Sequence, residues 1–280
     1  MNLLVGLVAP AAIAWAAVWL LRRTLPAKTD DRGLLASAAA AAVFIGYVLL
    51  PDWAALKPER HWQWLPYVGV AAAAVSALAP TSRGLWALRW ALLAAAALIA
   101  AWKLVPDWES LYPPRPISIV LVAAGMVALA AALEALPDRL CRPTLVALLA
   151  ATAGGVMVAL AVSVSLKFGQ LAGLTASAIV GCAIACLRRE AGPAVVRGLA
   201  PVATLLLVGV AYAGCIEPDP PVNPLLFIPA APLALWLCAA GPLSRLQGRP
   251  SIAAQVAVVA VPLLVAVIIA CLSPPAADSW

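Results

Sequence analysis

Ten long apolar stretches, each nearly free of charge, constrain the fold of this chain more than any other feature. They lie near residues 2–21, 33–50, 63–80, 85–105, 116–136, 143–166, 170–187, 199–215, 224–240 and 252–271. A helix needs about 17–25 apolar residues to cross a hydrocarbon layer about 30 Å thick. Backbone polar groups in lipid must be satisfied within the segment. The sequence therefore predicts an all-α polytopic transmembrane helical bundle of about ten helices.

Composition agrees with a lipid surrounding. Apolar residues make up 65% of the chain and charged residues 11%, whereas soluble domains have roughly 45–50% and about 25%. The net charge of +6 is what a membrane protein needs to fix its orientation. We therefore expect the lipid bilayer as partner and no nucleic acid.

The basic residues are distributed unequally between the connections. Counted from the first helix, the odd-numbered connections and adjoining helix ends hold 13 of the 18 Lys and Arg residues. Basic residues near helix ends are retained on the cytoplasmic side. This predicts cytoplasmic odd connections, extracytoplasmic termini and a location in the bacterial inner (plasma) membrane.

An internal repeat joins two of the even-numbered connections. Residues 48–60 read VLLPDWAALKPER and residues 103–115 read KLVPDWESLYPPR, which are identical at seven of thirteen positions. Similarity at a fixed offset indicates a duplicated structural unit. We predict a single integral membrane domain of tandem helical hairpins of about 55 residues each, covering 1–60, 61–115, 116–168, 169–222 and 223–280.

The repeated loops are the first candidate site. Asp before a short apolar turn is a common helix N-cap, and Trp anchors a chain at the membrane interface. We interpret both copies as caps and anchors. The alternative is that the charged groups line an extracytoplasmic vestibule. The residues concerned are Asp52, Trp53, Arg60, Asp107, Trp108 and Arg115.

Two ionisable residues lie within the predicted spans, close to the cytoplasmic side. Ionisable groups inside a bilayer are costly and are functional candidates by default. Arg89 lies about one turn inside the fourth helix and Glu134 near the end of the fifth. We expect Arg89 to extend towards the membrane surface. An ion pair between Arg89 and Glu134 is the alternative.

The sixth and seventh helices carry most of the small and hydroxyl-bearing residues. Three of these recur at four-residue spacing, which favours close helix packing. The alternative is a hydroxyl-lined cavity that a transporter would use. The set is Thr152, Gly154, Gly155, Ser163, Gly173, Ser177 and Gly181. Prolines interrupt the apolar stretches at Pro10, Pro229, Pro232 and Pro262. They leave two alternatives open, broken helices of the kind that transporters use and isolated kinks.

Reactive groups are few in this sequence. It has one histidine, His61, and no HExxH, Walker, GxGxxG or GxSxG pattern, so we expect neither an enzyme nor a cofactor or metal site. Cys215 and Cys271 both end helices on the predicted outer side, which leaves a disulfide between them open.

The function predicted from these features is non-enzymatic. We favour a structural or assembly protein that binds partner helices of other membrane subunits, or lipid. The alternative is a permease for a small neutral solute. In size the chain resembles the drug/metabolite transporter superfamily, which implies two inverted five-helix halves with cytoplasmic termini. The tandem hairpins and external termini predicted here depart from that arrangement.

Overall fold

The computed structural model describes residues 7–24, 32–50, 57–78, 82–109, 111–140, 142–187, 193–217, 223–246 and 248–272. These residues form helices and connections and contain no β-strand, which confirms the predicted all-α fold. The helices are α1 (Ala9–Thr24), α2 (Arg32–Leu49), α3 (Leu65–Ser76), α4 (Arg83–Leu104), α5 (Arg115–Glu134), α6 (Arg142–Ser163), α7 (Leu166–Leu187), α8 (Pro193–Ile216), α9 (Trp236–Ala239) and α10 (Arg249–Leu272).

Six of these helices are long and apolar enough to cross a membrane: α4, α5, α6, α7, α8 and α10. The apolar parts of α1 and α2 are shorter, at Ala9–Leu20 and Gly33–Leu49, and α3 has only 12 residues. The predicted count of about ten spans is therefore not supported. Several long apolar helices are consistent with membrane insertion.

The ninth apolar stretch is mainly a 3₁₀ helix. It runs over Asn223–Leu235 for 13 residues, with Pro229 and Pro232 inside it, and continues into α9. Proline lacks the N–H that an α-helical ladder requires, and a spacing of three residues matches one 3₁₀ turn. Runs beyond three or four residues are uncommon in 3₁₀ helices. At Pro229 and Pro232 the chain thus forms a thinner 3₁₀ helix. Pro10 lies in the first turn of α1, and α10 continues through Pro262 without a break.

Burial divides the bundle into inner and outer helices. In the apolar windows of α8 and α7, 94% and 83% of residues are buried, against 33% in α5, 28% in α4 and 17% in α10. Helix α8 contacts α2, α3, α5 and the 3₁₀ segment Asn223–Leu235. The outer helices expose large apolar side chains such as Ile99, Val261 and Leu264.

Helix pairing departs from the predicted hairpins in the middle of the chain. Helices α1 and α2 pack together, as do α3 and α4, and the 3₁₀ segment packs on α10. Within the described ranges α5 and α6 make no contact with each other, and α6 packs most extensively on α7. A fixed sequence period therefore does not set which helices are neighbours.

Connections meet at two opposite ends of the bundle. One end, called here the His61 end, brings together Arg60, His61, Trp108 and Glu217. The opposite end, called the Arg89 end, holds the ion pairs Arg89–Glu134 and Asp138–Arg197. The two groups of connections follow the division into even- and odd-numbered connections in the sequence.

Candidate functional site

The repeated PDW loops are only partly described. Asp52 and Trp53 lie outside the described residues. The Asp107 carboxylate lies 3.5 Å from the guanidinium of Arg115, and no helix follows Asp107 within residues 105–109 or 111–114. The backbone turns after Asp107, where the Leu111 N–H donates to the Trp108 carbonyl at 3.1 Å. Helix α5 begins only at Arg115, with Pro114 as its N-cap residue. Ser110 lies outside the described residues, so the capping role of Asp107 stays a prediction.

His61, which directly follows the first copy of the repeat, contacts the second copy at the His61 end. The Trp108 ring lies edge-on to His61 with centroids 5.7 Å apart, and His61 Nε2 lies 3.6 Å from the Glu217 carboxylate. Burial lowers the pKa of His61 to about 4, and the nearby Arg60 charge adds to that effect. Burial raises the pKa of Glu217, against the opposing charges of Arg60 and Lys167. The contacts connect three loops that the sequence alone did not bring together.

A buried ion pair connects α4 to α5 at the Arg89 end. One guanidinium nitrogen of Arg89 donates to a carboxylate oxygen of Glu134 at 2.8 Å, and a second donates to the other oxygen. Arg89 is 4% exposed and Glu134 9%. The expectation that Arg89 extends to the membrane surface is wrong, because the last turn of α5 lies beside the second turn of α4. The hydrogen bonds of such a bidentate pair are charge-assisted and stronger than neutral ones, so the pair holds α4 against α5.

The small residues of α7 face other helices closely. A Cβ added at Gly181 would lie 2.3 Å from the Ala11 carbonyl oxygen of α1, and one at Gly173 would lie 3.1 Å from Leu7. Ser177, between them at four-residue spacing, is buried. In α6, Gly155 faces Leu263 of α10 in the same manner. These contacts favour the packing interpretation.

The hydroxyl groups of α6 are satisfied within their own helix. Thr152 donates to the Leu148 carbonyl at 2.9 Å, and Ser163 donates to the Ala159 carbonyl at 2.6 Å. Both side chains are buried, and each hydroxyl hydrogen already makes a hydrogen bond that a solute would have to replace. Gly154, also on α6, is not in close contact with a neighbouring helix, because a Cβ there would meet no atom within 4 Å.

A groove that the sequence did not predict lies between α5, α8 and the 3₁₀ segment. Its volume is about 540 Å³, which is within the 300–1,000 Å³ typical of ligand pockets. Thirteen of the lining residues belong to these helices: Ser118, Leu121, Val122, Gly125, Ala128, Leu129, Ala132, Val208, Tyr212, Leu226, Pro229, Ala230 and Leu233. Pro113, in the loop before α5, completes the lining.

The groove is long and has polar groups at one end only. Ala132 follows Ser118 by fourteen positions along α5, a distance of about 21 Å at 1.5 Å per residue. Ser118 lies in the first turn of α5 and Tyr212 in the last turns of α8, so both mark the His61 end. The Ser118 hydroxyl donates to the Pro113 carbonyl at 2.7 Å. Tyr212 is 6% exposed, and its hydroxyl, although near Ser118, makes no hydrogen bond of normal geometry.

The pattern along α5 explains why the groove was not predicted. Its lining residues recur every three or four positions, but the residues between them are equally apolar. In a soluble helix an apolar stripe distinguishes the inner face from the outer one. The only local indication was Pro229 with Pro232, because a 3₁₀ helix is thinner than an α-helix and leaves room beside α5.

The described residues show how potential metal ligands and the cysteines are placed. Within the described ranges no three His, Cys, Asp or Glu side chains are grouped so that they could hold a metal ion. Cys215 is buried on α8 and Cys271 is exposed on α10, both as thiols, and these two helices are not in contact in the described part of the chain. The adjacency that a disulfide between them requires is therefore not found.

No protein-family model, no curated protein and no solved structure matches this chain. What the protein does must therefore follow from its own geometry. The groove is one concave feature of the described residues, and its lining is almost entirely apolar.

Proposed function

We propose that the protein is a non-enzymatic, multi-pass integral membrane protein that holds one lipid chain in the groove between α5, α8 and the 3₁₀ segment. The groove itself, about 540 Å³ in volume with an almost entirely hydrocarbon lining, is the observation that carries this proposal. A lipid-binding structural or assembly role needs no catalytic group. The ion pairs of the described residues each join two side chains of the protein itself.

The outer surface of the bundle supports the membrane setting. Helix α10 is apolar along its length, yet only 17% of its apolar window is buried. Exposing so large an apolar surface to water is unfavourable, whereas contact with acyl chains is favourable. We place the His61 end and both termini outside the cytoplasm, in a bacterial inner membrane, because basic residues concentrate in the odd-numbered connections.

The 3₁₀ segment and α9 together are also long enough to cross the bilayer. The 3₁₀ stretch has 13 residues and α9 has four. At about 2.0 Å per 3₁₀ residue and 1.5 Å per α residue they reach about 32 Å together. That length matches a hydrocarbon core about 30 Å thick. We therefore count this segment as a membrane span.

The immediate surroundings of the groove favour a lipid chain as its occupant. Leu121, Leu226 and Leu233 line it and are themselves 38–57% exposed, and Phe227 beside them is 72% exposed. In a membrane these flanking surfaces are covered by acyl chains, which can enter the groove from the side. Its length of about 21 Å exceeds one leaflet of roughly 15 Å. One acyl chain can therefore lie along it.

A permease for a small neutral solute is less well supported. Its path would run along the polar residues of α6 and α7, where Gly155 and Gly181 face neighbouring helices closely and the Thr152 hydroxyl bonds its own helix. Other membrane subunits remain compatible with a lipid-binding protein, since α4 and α10 expose broad apolar faces.

A groove-filling substitution tests the proposal. Gly125 lines the groove, and a Cβ there would meet no atom within 4 Å, so the side chain of Gly125→Leu can enter the groove. We expect native mass spectrometry of gently extracted protein to show one retained lipid that this variant loses. Gly154→Leu is the matched control, because Gly154 is equally open but lies on α6 away from the groove. Equal lipid retention by both variants and the parent protein would contradict the proposal.

A further inference from the structure

Small residues line the α5 side of the groove at increasing depth. Gly125, Ala128 and Ala132 follow Ser118 by seven, ten and fourteen positions, which places them about 10, 15 and 21 Å from it along the helix. A glycine or an alanine leaves the space beside the backbone open, and a Cβ added at Gly125 would meet no atom within 4 Å. At these three depths the helix therefore leaves room for a chain.

The width of the groove fits one hydrocarbon chain. A volume of about 540 Å³ over a length of about 21 Å gives a mean cross-section of about 26 Å². Carbon atoms in contact lie about 4 Å apart, so an extended chain needs a cross-section of roughly 20 Å². Two chains side by side would need about twice that area. A second chain of the same lipid must therefore stay among the surrounding lipids.

We infer that the groove selects its lipid by chain length and accepts one extended chain of about 17 carbon atoms. An extended chain advances about 1.25 Å per carbon, because its bonds are about 1.5 Å long and meet at about 111°. The inference rests on the proposed function, because a chain must occupy the groove before its length can matter. Ala128 and Ala132 leave the far part of the groove free, and a larger side chain at either position should shorten it.

The two ends of the groove differ, and this difference determines the direction of the chain. Ser118 and Tyr212 carry the hydroxyl groups of the lining at the His61 end, whereas the lining beyond them is apolar as far as Ala132 and Leu233. Burying the polar end of a lipid against apolar side chains without hydrogen bonds is unfavourable. The polar end therefore stays at the His61 end, and the terminal methyl group lies towards Ala132.

Monoacylglycerols that differ only in chain length test the inference. Delipidated full-length protein in detergent receives equal amounts of monolaurin, whose extended chain ends near Ala128, monostearin, whose chain ends near Ala132, and monobehenin, whose chain extends beyond it. Native mass spectrometry gives the ratio of the bound lipids, which is divided by their ratio in the micelles.

In the parent protein we expect monostearin to be preferred to monolaurin about tenfold, because a packed groove gives each further carbon closer contacts than a fluid micelle does. Monobehenin should be preferred no more than monostearin, because its last carbons lie outside the groove.

Two substitutions at different depths and a matched control complete the test. Ala128→Leu places a larger side chain about 15 Å along the groove, so monostearin should lose its preference over monolaurin. Monolaurin ends there and should bind as it does to the parent protein, which also shows that the variant is folded. Ala132→Leu narrows only the far end and should leave the binding of monolaurin unchanged. Ala131→Leu is the control, because Ala131 is exposed on α5 but does not line the groove, and it should keep the full preference.

The possible results separate selection by length from the proposed function. Equal binding of monolaurin and monostearin to the parent protein, a further rise with monobehenin, or a preference that survives Ala128→Leu overturns selection by length and leaves the groove as a lipid site. Loss of monolaurin binding in Ala128→Leu, or loss of the preference in Ala131→Leu, has the same consequence. Weaker binding of monolaurin to Ala132→Leu overturns the direction assigned to the chain. If none of the three lipids binds, the proposed function fails and selection by length fails with it.

Discussion

Removing one partner of the buried Arg89–Glu134 pair should destabilise the protein strongly. In Glu134→Ala the guanidinium of Arg89, 4% exposed, loses both carboxylate contacts and keeps a charge that no water can reach. Breaking a buried pair in this way costs about 3–5 kcal/mol. The measurement is the free energy of unfolding, from titration with sodium dodecyl sulfate in mixed micelles.

The Asp138–Arg197 pair at the same end provides the control. Its side chains are 52% and 29% exposed, so Asp138→Ala should cost only about 0–1 kcal/mol. The two variants remove the same kind of ion pair and differ mainly in burial. Equal losses of stability in Glu134→Ala and Asp138→Ala would refute the reasoning from burial.

A double variant separates the ion pair from the surrounding packing. Arg89→Met with Glu134→Leu replaces both charges by apolar side chains of comparable length, so that no buried charge remains. Such replacements are often neutral or stabilising by about 1–4 kcal/mol. We expect the double variant to be much more stable than Glu134→Ala alone. If it is as unstable, the pair does not account for the loss and the packing between α4 and α5 does.

Three further predictions concern packing, pH and orientation. Gly181→Ala should cost about 1–3 kcal/mol, because its Cβ would lie 2.3 Å from a backbone oxygen of α1, whereas Gly154→Ala, with open space, should gain up to about 1 kcal/mol in the same titration. The pKa of His61 is about 4 in the folded protein, below its ordinary value of 6.5. The stability present above pH 6.5 should therefore fall, by at most about 3 kcal/mol, as the pH is lowered towards 4. The raised pKa of Glu217 acts in the opposite direction, and His61→Gln should make the fall smaller. A periplasm-active reporter fused to the C-terminus should be active and one in the loop between α7 and α8 inactive; the reverse pattern would contradict the orientation.

Helix positions followed from the sequence because length and apolarity determine them. The block predicted at 85–105 is α4, Arg83–Leu104, and the block at 116–136 is α5, Arg115–Glu134. Each is bounded by charged or proline-rich connections that cannot lie in hydrocarbon. Where the sequence offered prolines instead, at Pro229 and Pro232, the element became a 3₁₀ helix, and the number of long apolar spans was overestimated.

Helix neighbours and rotations could not be predicted in the same way. Depth along a helix placed Arg89 and Glu134 near one surface, but the direction in which each side chain points was undetermined, and the pairing was therefore judged wrongly. The groove was missed for the same reason, since every side of α5 is apolar and no stripe marks the face towards α8. The four-residue spacing of Gly173, Ser177 and Gly181 was more informative, because small side chains permit close approach only on the face they share.

Photolabelling with a lipid that carries a diazirine on its acyl chain tests the central claim most directly. The labelled lipid is diluted in unlabelled membrane lipid, and modified residues are identified by peptide mass spectrometry. If a lipid chain is held in the groove, groove residues such as Gly125, Ala128 and Ala230 should be labelled more, per unit of exposed area, than outward-facing residues such as Ile268 on α10. Gly125→Leu should remove only the excess in the groove. Labelling spread evenly over the outer helices, with no excess in the groove, would contradict a bound lipid chain.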